Sequence, residues 1–240
     1  MFTLILLSFF FYPESAYPQQ TKTISTVAEL VDISEIIYGP DDLLVNGKLY
    51  IPTHPRAEGN PYFQEDNWDS GSIIIKGKTF TNFLFIYNVE IDRVIIESRD
   101  INENKIAVLL NQDFVDGFMI GDHEFINLKQ LKTSNTLKGY AELIYRSGLT
   151  MVIAHKKTLL KQYSQSNPFG SYSGLESEKF IQEGDQLVKV STKGSFLDYY
   201  SPFRAQLKKY FRTKNLRYKK ATKNELAKLM EFCDGLVENN

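Results

Sequence analysis

The sequence predicts a mainly β, β-rich α+β protein: an antiparallel meander curled as a barrel or half-barrel, with two C-terminal helices packed on it. Three observations carry this. Between residues 45 and 192, apolar runs of strand length alternate with short connections rich in Gly, Asn, Asp and Ser. No helical pattern of ten or more residues interrupts them, and a parallel sheet needs crossover helices. After Ser201 the apolar period lengthens to that of a helix.

The chain opens with a candidate leader at residues 1–20. It is apolar from Phe2 to Tyr12 except for Thr3 and Ser8, and Ser15 and Ala16 supply small residues where cleavage would fall. The run falls short of the ~20 apolar residues that span a bilayer. No Lys or Arg precedes it, and the alternative is a buried N-terminal strand. No Cys lies near it, which disfavours a lipid anchor. The single cysteine, Cys233, cannot form an internal disulfide, so an exported form must fold on core packing alone.

Residues 21–37 form a lead-in, followed by a turn at Tyr38-Gly39-Pro40-Asp41-Asp42. Strands are expected at 45–51, 72–76 and 78–87, with Gly77 as a tight connection. Further strands are expected at 93–98, 105–111, 118–120, 124–128, 140–146, 149–155, 180–182 and 187–191. Ser147-Gly148 suits a two-residue hairpin turn between two of them. The consecutive Phe83, Leu84, Phe85 and Ile86 suggest a strand covered on both faces. Residues 163–178 are Ser- and Gly-rich and read as a mobile loop. Ser201-Pro202 then reads as a helix N-cap with Pro at the first position, and Phe203, Leu207, Tyr210 and Phe211 share one face. A second start at Thr222 has Glu225 at capping-box spacing, and Leu226, Leu229, Met230, Cys233 and Val237 form its stripe. The expected organisation is a signal peptide at 1–20, a β domain at 21–200 and a helical hairpin at 201–240.

Charge is balanced overall but uneven along the chain. Residues 201–240 carry a net +6 and residues 21–200 a net −6. A solvated Lys/Arg face on the helices accounts for this, and an electrostatic partner surface is the alternative. Lys208, Lys209, Arg212, Arg217, Lys219 and Lys220 interleave with aromatics, but those aromatics follow the packing stripe, so no nucleic-acid role is read.

No catalytic, cofactor or metal site emerges. The three histidines, His54, His123 and His155, stand beside turns or charged residues and read as solvated or loop-packed. His123-Glu124 starts a zinc-binding H-E-x-x-H, but Asn127 occupies the second histidine's place. Tyr172 stands where a G-x-S-x-G elbow around Gly170 and Gly174 needs serine. Glu65, Asp66 and Asp69 lack calcium-loop spacing because Trp68 interrupts them. Cys233 lies on the apolar stripe, as a buried small hydrophobe would. The densest signature is Gly59 to Trp68. Its Tyr62, Phe63 and Trp68 either touch a partner or ligand or, as the plainer reading, plug one end of the sheet.

The string Tyr38-Gly39-Pro40-Asp41-Asp42-Leu43-Leu44-Val45-Asn46-Gly47-Lys48-Leu49-Tyr50 resembles a family of uncharacterised exported proteins common in Bacteroidota. Gly59-Asn60-Pro61-Tyr62-Phe63, Gly77-Lys78-Thr79-Phe80, Tyr87-Asn88-Val89, Asn224-Glu225-Leu226 and Leu229-Met230-Glu231-Phe232-Cys233 extend the resemblance over most of the mature chain. It implies an envelope location in a Gram-negative cell, the periplasm or outer-membrane periphery, and no known activity. The resulting expectation is a non-enzymatic protein that binds a partner or assists envelope assembly, without a transmembrane span in its mature form. The alternatives are a periplasmic carrier of a lipid or other apolar ligand and, more weakly, a carbohydrate-active enzyme.

Overall fold

Strands form along the apolar runs, as alternation dictates. The computed structural model describes residues 47–64, 68–99, 102–131, 137–165 and 167–238. The expected leader, the lead-in, the turn at 38–42 and the acidic pair Glu65 and Asp66 lie outside these residues. In chain order the strands are β1 (Lys48–Leu49), β2 (Asp69–Ile75), β3 (Lys78–Asn88), β4 (Arg93–Arg99), β5 (Lys105–Leu109), β6 (Val115–Ile120), β7 (His123–Asn127), β8 (Tyr140–Arg146), β9 (Thr150–Lys156), β10 (Leu159–Leu160), β11 (Ser171–Tyr172), β12 (Glu176–Glu183) and β13 (Gln186–Lys189).

All but β10 and β11 join one antiparallel sheet of 11 strands, in the order β1-β5-β4-β3-β2-β6-β7-β8-β9-β12-β13. The chain meanders outward from β2 to β5, returns to place β6 on the other side of β2, and meanders again. The order is linear and β1 and β13 do not pair with each other, so the sheet is open and no closed barrel forms. β10 and β11 make a separate ribbon, pairing Leu159 with Tyr172 and Leu160 with Ser171. The stretch expected to be a loop therefore holds a strand and runs directly into β12.

Three α-helices follow: α1 (Lys193–Tyr199), α2 (Arg204–Thr213) and α3 (Lys223–Glu238). The sequence predicts only the last two. α1 is short and opens on Lys-Gly-Ser, yet it carries a capping box. Ser195 N donates to Thr192 Oγ1 at 3.0 Å and Thr192 N donates to Ser195 Oγ at 3.0 Å. Ser201-Pro202 forms a 3-10 turn, Ser201–Phe203, ahead of α2. The capping box at Thr222 is made: Thr222 N donates to Glu225 Oε2 at 2.8 Å and Glu225 N to Thr222 Oγ1 at 3.3 Å. Among the described residues no helix is long and apolar enough to cross a membrane.

Two large apolar clusters share the sheet. One gathers Ile73, Ile75, Phe85, Tyr87, Ile96, Phe118 and Phe125 from β2, β3, β4, β6 and β7. The other sets Ile144, Met151, Ile153 and Ile181 of β8, β9 and β12 against Phe196, Leu207, Phe211, Leu226, Leu229, Met230 and Cys233 of the helices. Of the helical faces read from the sequence, Leu207, Phe211, Leu226, Leu229, Met230 and Cys233 are buried, Phe203 and Tyr210 are half-buried and Val237 is exposed. Burial pushes the Cys233 thiol up to about 12.

Candidate functional site

A polar group interrupts the apolar face where the two clusters meet. Across β7, β8, β9 and β12, Phe125 stands opposite Glu142, Glu142 opposite Ile153, and Ile153 opposite Lys179. Glu142 is only 3% exposed. A buried carboxylate needs partners, and two histidines, diagonal to it across the ladder, supply them. His123 Nδ1 lies 2.6 Å from Glu142 Oε1 and His155 Nε2 2.9 Å from Oε2. Burial alone would raise the Glu142 carboxyl, but the hydrogen bonds from His155 and His123 outweigh it and hold it below the usual range.

An ionised carboxylate only accepts, so His155 Nε2 carries a proton. Ser177 Oγ lies 2.9 Å from Nδ1 and donates to it when the imidazole is neutral. Ser177, His155 and Glu142 thus form a relay of the kind that activates hydroxyl nucleophiles. Of the three histidines expected to be solvated or loop-packed, His123 and His155 are instead tied together through Glu142, while His54 is exposed in a loop.

Phe63 covers this group. Its ring centroid lies 5.1 Å from that of His123, 4.9 Å from that of His155 and 4.9 Å from that of Phe125. Backbone bonds hold its loop on both sides. Phe63 N donates to Tyr87 O and Val89 N to Pro61 O, both at 2.9 Å. Glu58 N donates to Gly170 O at 3.0 Å and Tyr172 N to Glu58 O at 2.9 Å, which fastens the loop to the β10–β11 ribbon. Gly59 turns the chain between these anchors with φ 76°, a conformation that favours glycine.

The loop and ribbon flank an open cleft of about 720 Å³. Phe63, Asn60, Gln64, Asp69, Lys157 and Tyr172 line it, with Gly59 and the Ser173–Leu175 stretch. Neither Ser177 nor His155 lines it; the Phe63 ring touches both the cleft and the imidazoles. Lys157 Nζ donates to Asn60 Oδ1 at 3.0 Å. Desolvation lowers Lys157 and raises Asp69. Tyr172 OH donates to Glu90 Oε2 at 3.0 Å; desolvation first, then Glu90, raises this phenol.

The three aromatics singled out in the sequence part company here. Tyr62 is a plug, buried with Ile86 and Ile95. Phe63 lines the cleft. Trp68 is 36% exposed and is not in the lining. Sequence reasoning missed Asn60, Lys157 and the Glu142 group. Period-two alternation carried a signal for the last, since it places His123 with Phe125 and Ile153 with His155 on single faces. Among the described residues no cluster of three His, Cys, Asp or Glu side chains is placed to hold a metal ion. The chain matches no protein-family model, and neither the curated proteins nor the solved structures hold a significant match to it.

Proposed function

We propose that this is an exported cell-envelope protein of the periplasm or outer-membrane periphery, which holds a partner molecule in the Phe63–Tyr172 cleft without converting it. The observation that carries this is the cleft: a ligand-sized volume with two aromatic rings, two amides and one charge of each sign, walled by loops that backbone bonds fasten. Ser177 and His155 lie outside the cleft lining, so a partner held in the cleft does not meet this relay, which supports binding over turnover there. The mixed lining favours a polar partner over a lipid, while the apolar side chains of the sheet pack on one another and on the helices.

The test is a native mass spectrum of the protein purified gently from its own envelope, beside that of Phe63→Ala and Tyr172→Ala. The wild type should carry added mass and the variants should lose it. A bare wild-type mass, or added mass indifferent to both substitutions, would sink the proposal.

A further inference from the structure

Asn60 and Lys157 present two adjacent donors to the cleft. Asn60 Oδ1 receives two hydrogen bonds, from Tyr62 N at 2.9 Å and from Lys157 Nζ at 3.0 Å. Both donors demand an oxygen, so the orientation of the amide is fixed by chemistry. The Asn60 NH2 group is left over, with no hydrogen bond among the described residues. Lys157 has no carboxylate partner among them either. An ammonium and an amide NH2, joined through one oxygen and half-buried together, are a pair of hydrogen-bond donors with one net positive charge. Charge-assisted bonds of this type are the stronger class.

Asp69 lines the same cleft. Its negative charge disfavours a dianion there and favours a ligand carrying a single negative charge. Phe63 and Tyr172 add flat apolar surface beside the polar pair. We infer that Lys157 and Asn60 form a subsite for a monoanionic carboxylate attached to an aromatic or similarly flat apolar group. This rests on the cleft being the binding site, and it names the chemistry of one end of the partner.

The experiment uses the full purified protein and three probes: benzoate, its neutral analogue benzamide, and inorganic phosphate. The readout is the Asn60 and Lys157 side-chain NMR signals. Benzoate should shift both saturably, with the weak, millimolar-range affinity expected of so small a ligand at up to ~50 mM. Benzamide and phosphate should shift them far less. Asn60→Asp keeps the oxygen that Tyr62 N and Lys157 need, removes the NH2 donor and adds a repelling charge. It should abolish benzoate binding while leaving the fold intact, and Lys157→Met should weaken binding about tenfold or more.

Equal response to benzoate and benzamide, a stronger response to phosphate, or no saturable shift would overturn the assignment. So would an Asn60→Asp protein that still binds benzoate. Those failures are separable from failure of the binding proposal, because the Phe63→Ala and Tyr172→Ala mass spectra are read independently of any carboxylate.

Discussion

The Asp92 carboxylate occupies the space that a side chain on Gly139 would need. A Cβ at Gly139 would fall inside the van der Waals radius of Asp92 Oδ2, and the backbone there has φ 101°. Asp92 cannot easily move away. Its Oδ1 accepts from Tyr87 OH at 2.7 Å, and its Oδ2 from Gln112 Nε2 at 3.1 Å and from Tyr140 N at 3.3 Å. Gly139→Ala should therefore cost about 2–4 kcal/mol in denaturant unfolding, from combined clash and backbone strain. Gly174→Ala, with nothing within 4 Å of its added Cβ, should stay within about 0.5 kcal/mol.

Glu142 should shape the acid limb of stability. Its folded pKa lies below the ordinary value of 4.5, so its contribution is fully present above that value. It is lost as pH falls through the lowered folded value. Melting temperatures measured from neutral pH down into the acid range should therefore decline more steeply below 4.5 for the wild type than for Glu142→Gln. Parallel curves would show that the histidine bonds add nothing to the ionised form.

Ser177 offers a direct check on the proposal that the protein binds without turnover. Ser177 Oγ lies 2.9 Å from His155 Nδ1, and His155 Nε2 lies 2.9 Å from Glu142 Oε2, but Ser177 is exposed and outside the cleft lining. A fluorophosphonate probe should leave the intact mass of the protein unchanged. Stoichiometric labelling that disappears in Ser177→Ala would make this serine a nucleophile and replace a binding role with a hydrolytic one.

Cys233 should be chemically silent in the folded state. It is 1% exposed, and desolvation first, then Asp234, pushes its thiol up to about 12. Iodoacetamide at mildly alkaline pH should modify it only after denaturant is added.

The helices should complete a core and not decorate one. Leu229 is fully buried among residues of β8, β9, β12 and the other helices. Leu229→Ala should lower stability by about 2–5 kcal/mol. Truncation after Tyr200 removes Leu207, Phe211, Leu226, Leu229 and Met230 from that cluster and should abolish cooperative unfolding. A truncated protein that melts as sharply as the intact chain would refute this packing.

Local chemistry was legible in the sequence; distant pairing was not. Residues 140–146 read as a strand in the sequence and form one, because Ser147-Gly148 marks its end and the next apolar run marks its partner. The Thr222–Glu225 box and the Leu226–Cys233 stripe are likewise contained within one turn or one helix. The described part of the Ser- and Gly-rich stretch before Ser171 is irregular, as a loop is, but Ser171 and Tyr172 pair with Leu160 and Leu159, and the Glu58 backbone binds Gly170 and Tyr172. Composition does not encode such bonds. The cleft was half-visible: Phe63 stood out as an aromatic among turn formers, but Lys157 meets Asn60 across 97 residues and has no local pattern.

The way the cleft wall is fastened has a consequence for how its specificity can change. Its anchors at Glu58, Pro61, Phe63, Gly170 and Tyr172 are peptide groups, so they survive most exchanges of the side chains they carry. Gln64 and Leu175 are then free to vary with little effect on the sheet beneath. Descendants of this chain could pass from one partner to another by substitutions at the rim, each tolerated on its own, while the scaffold keeps its register.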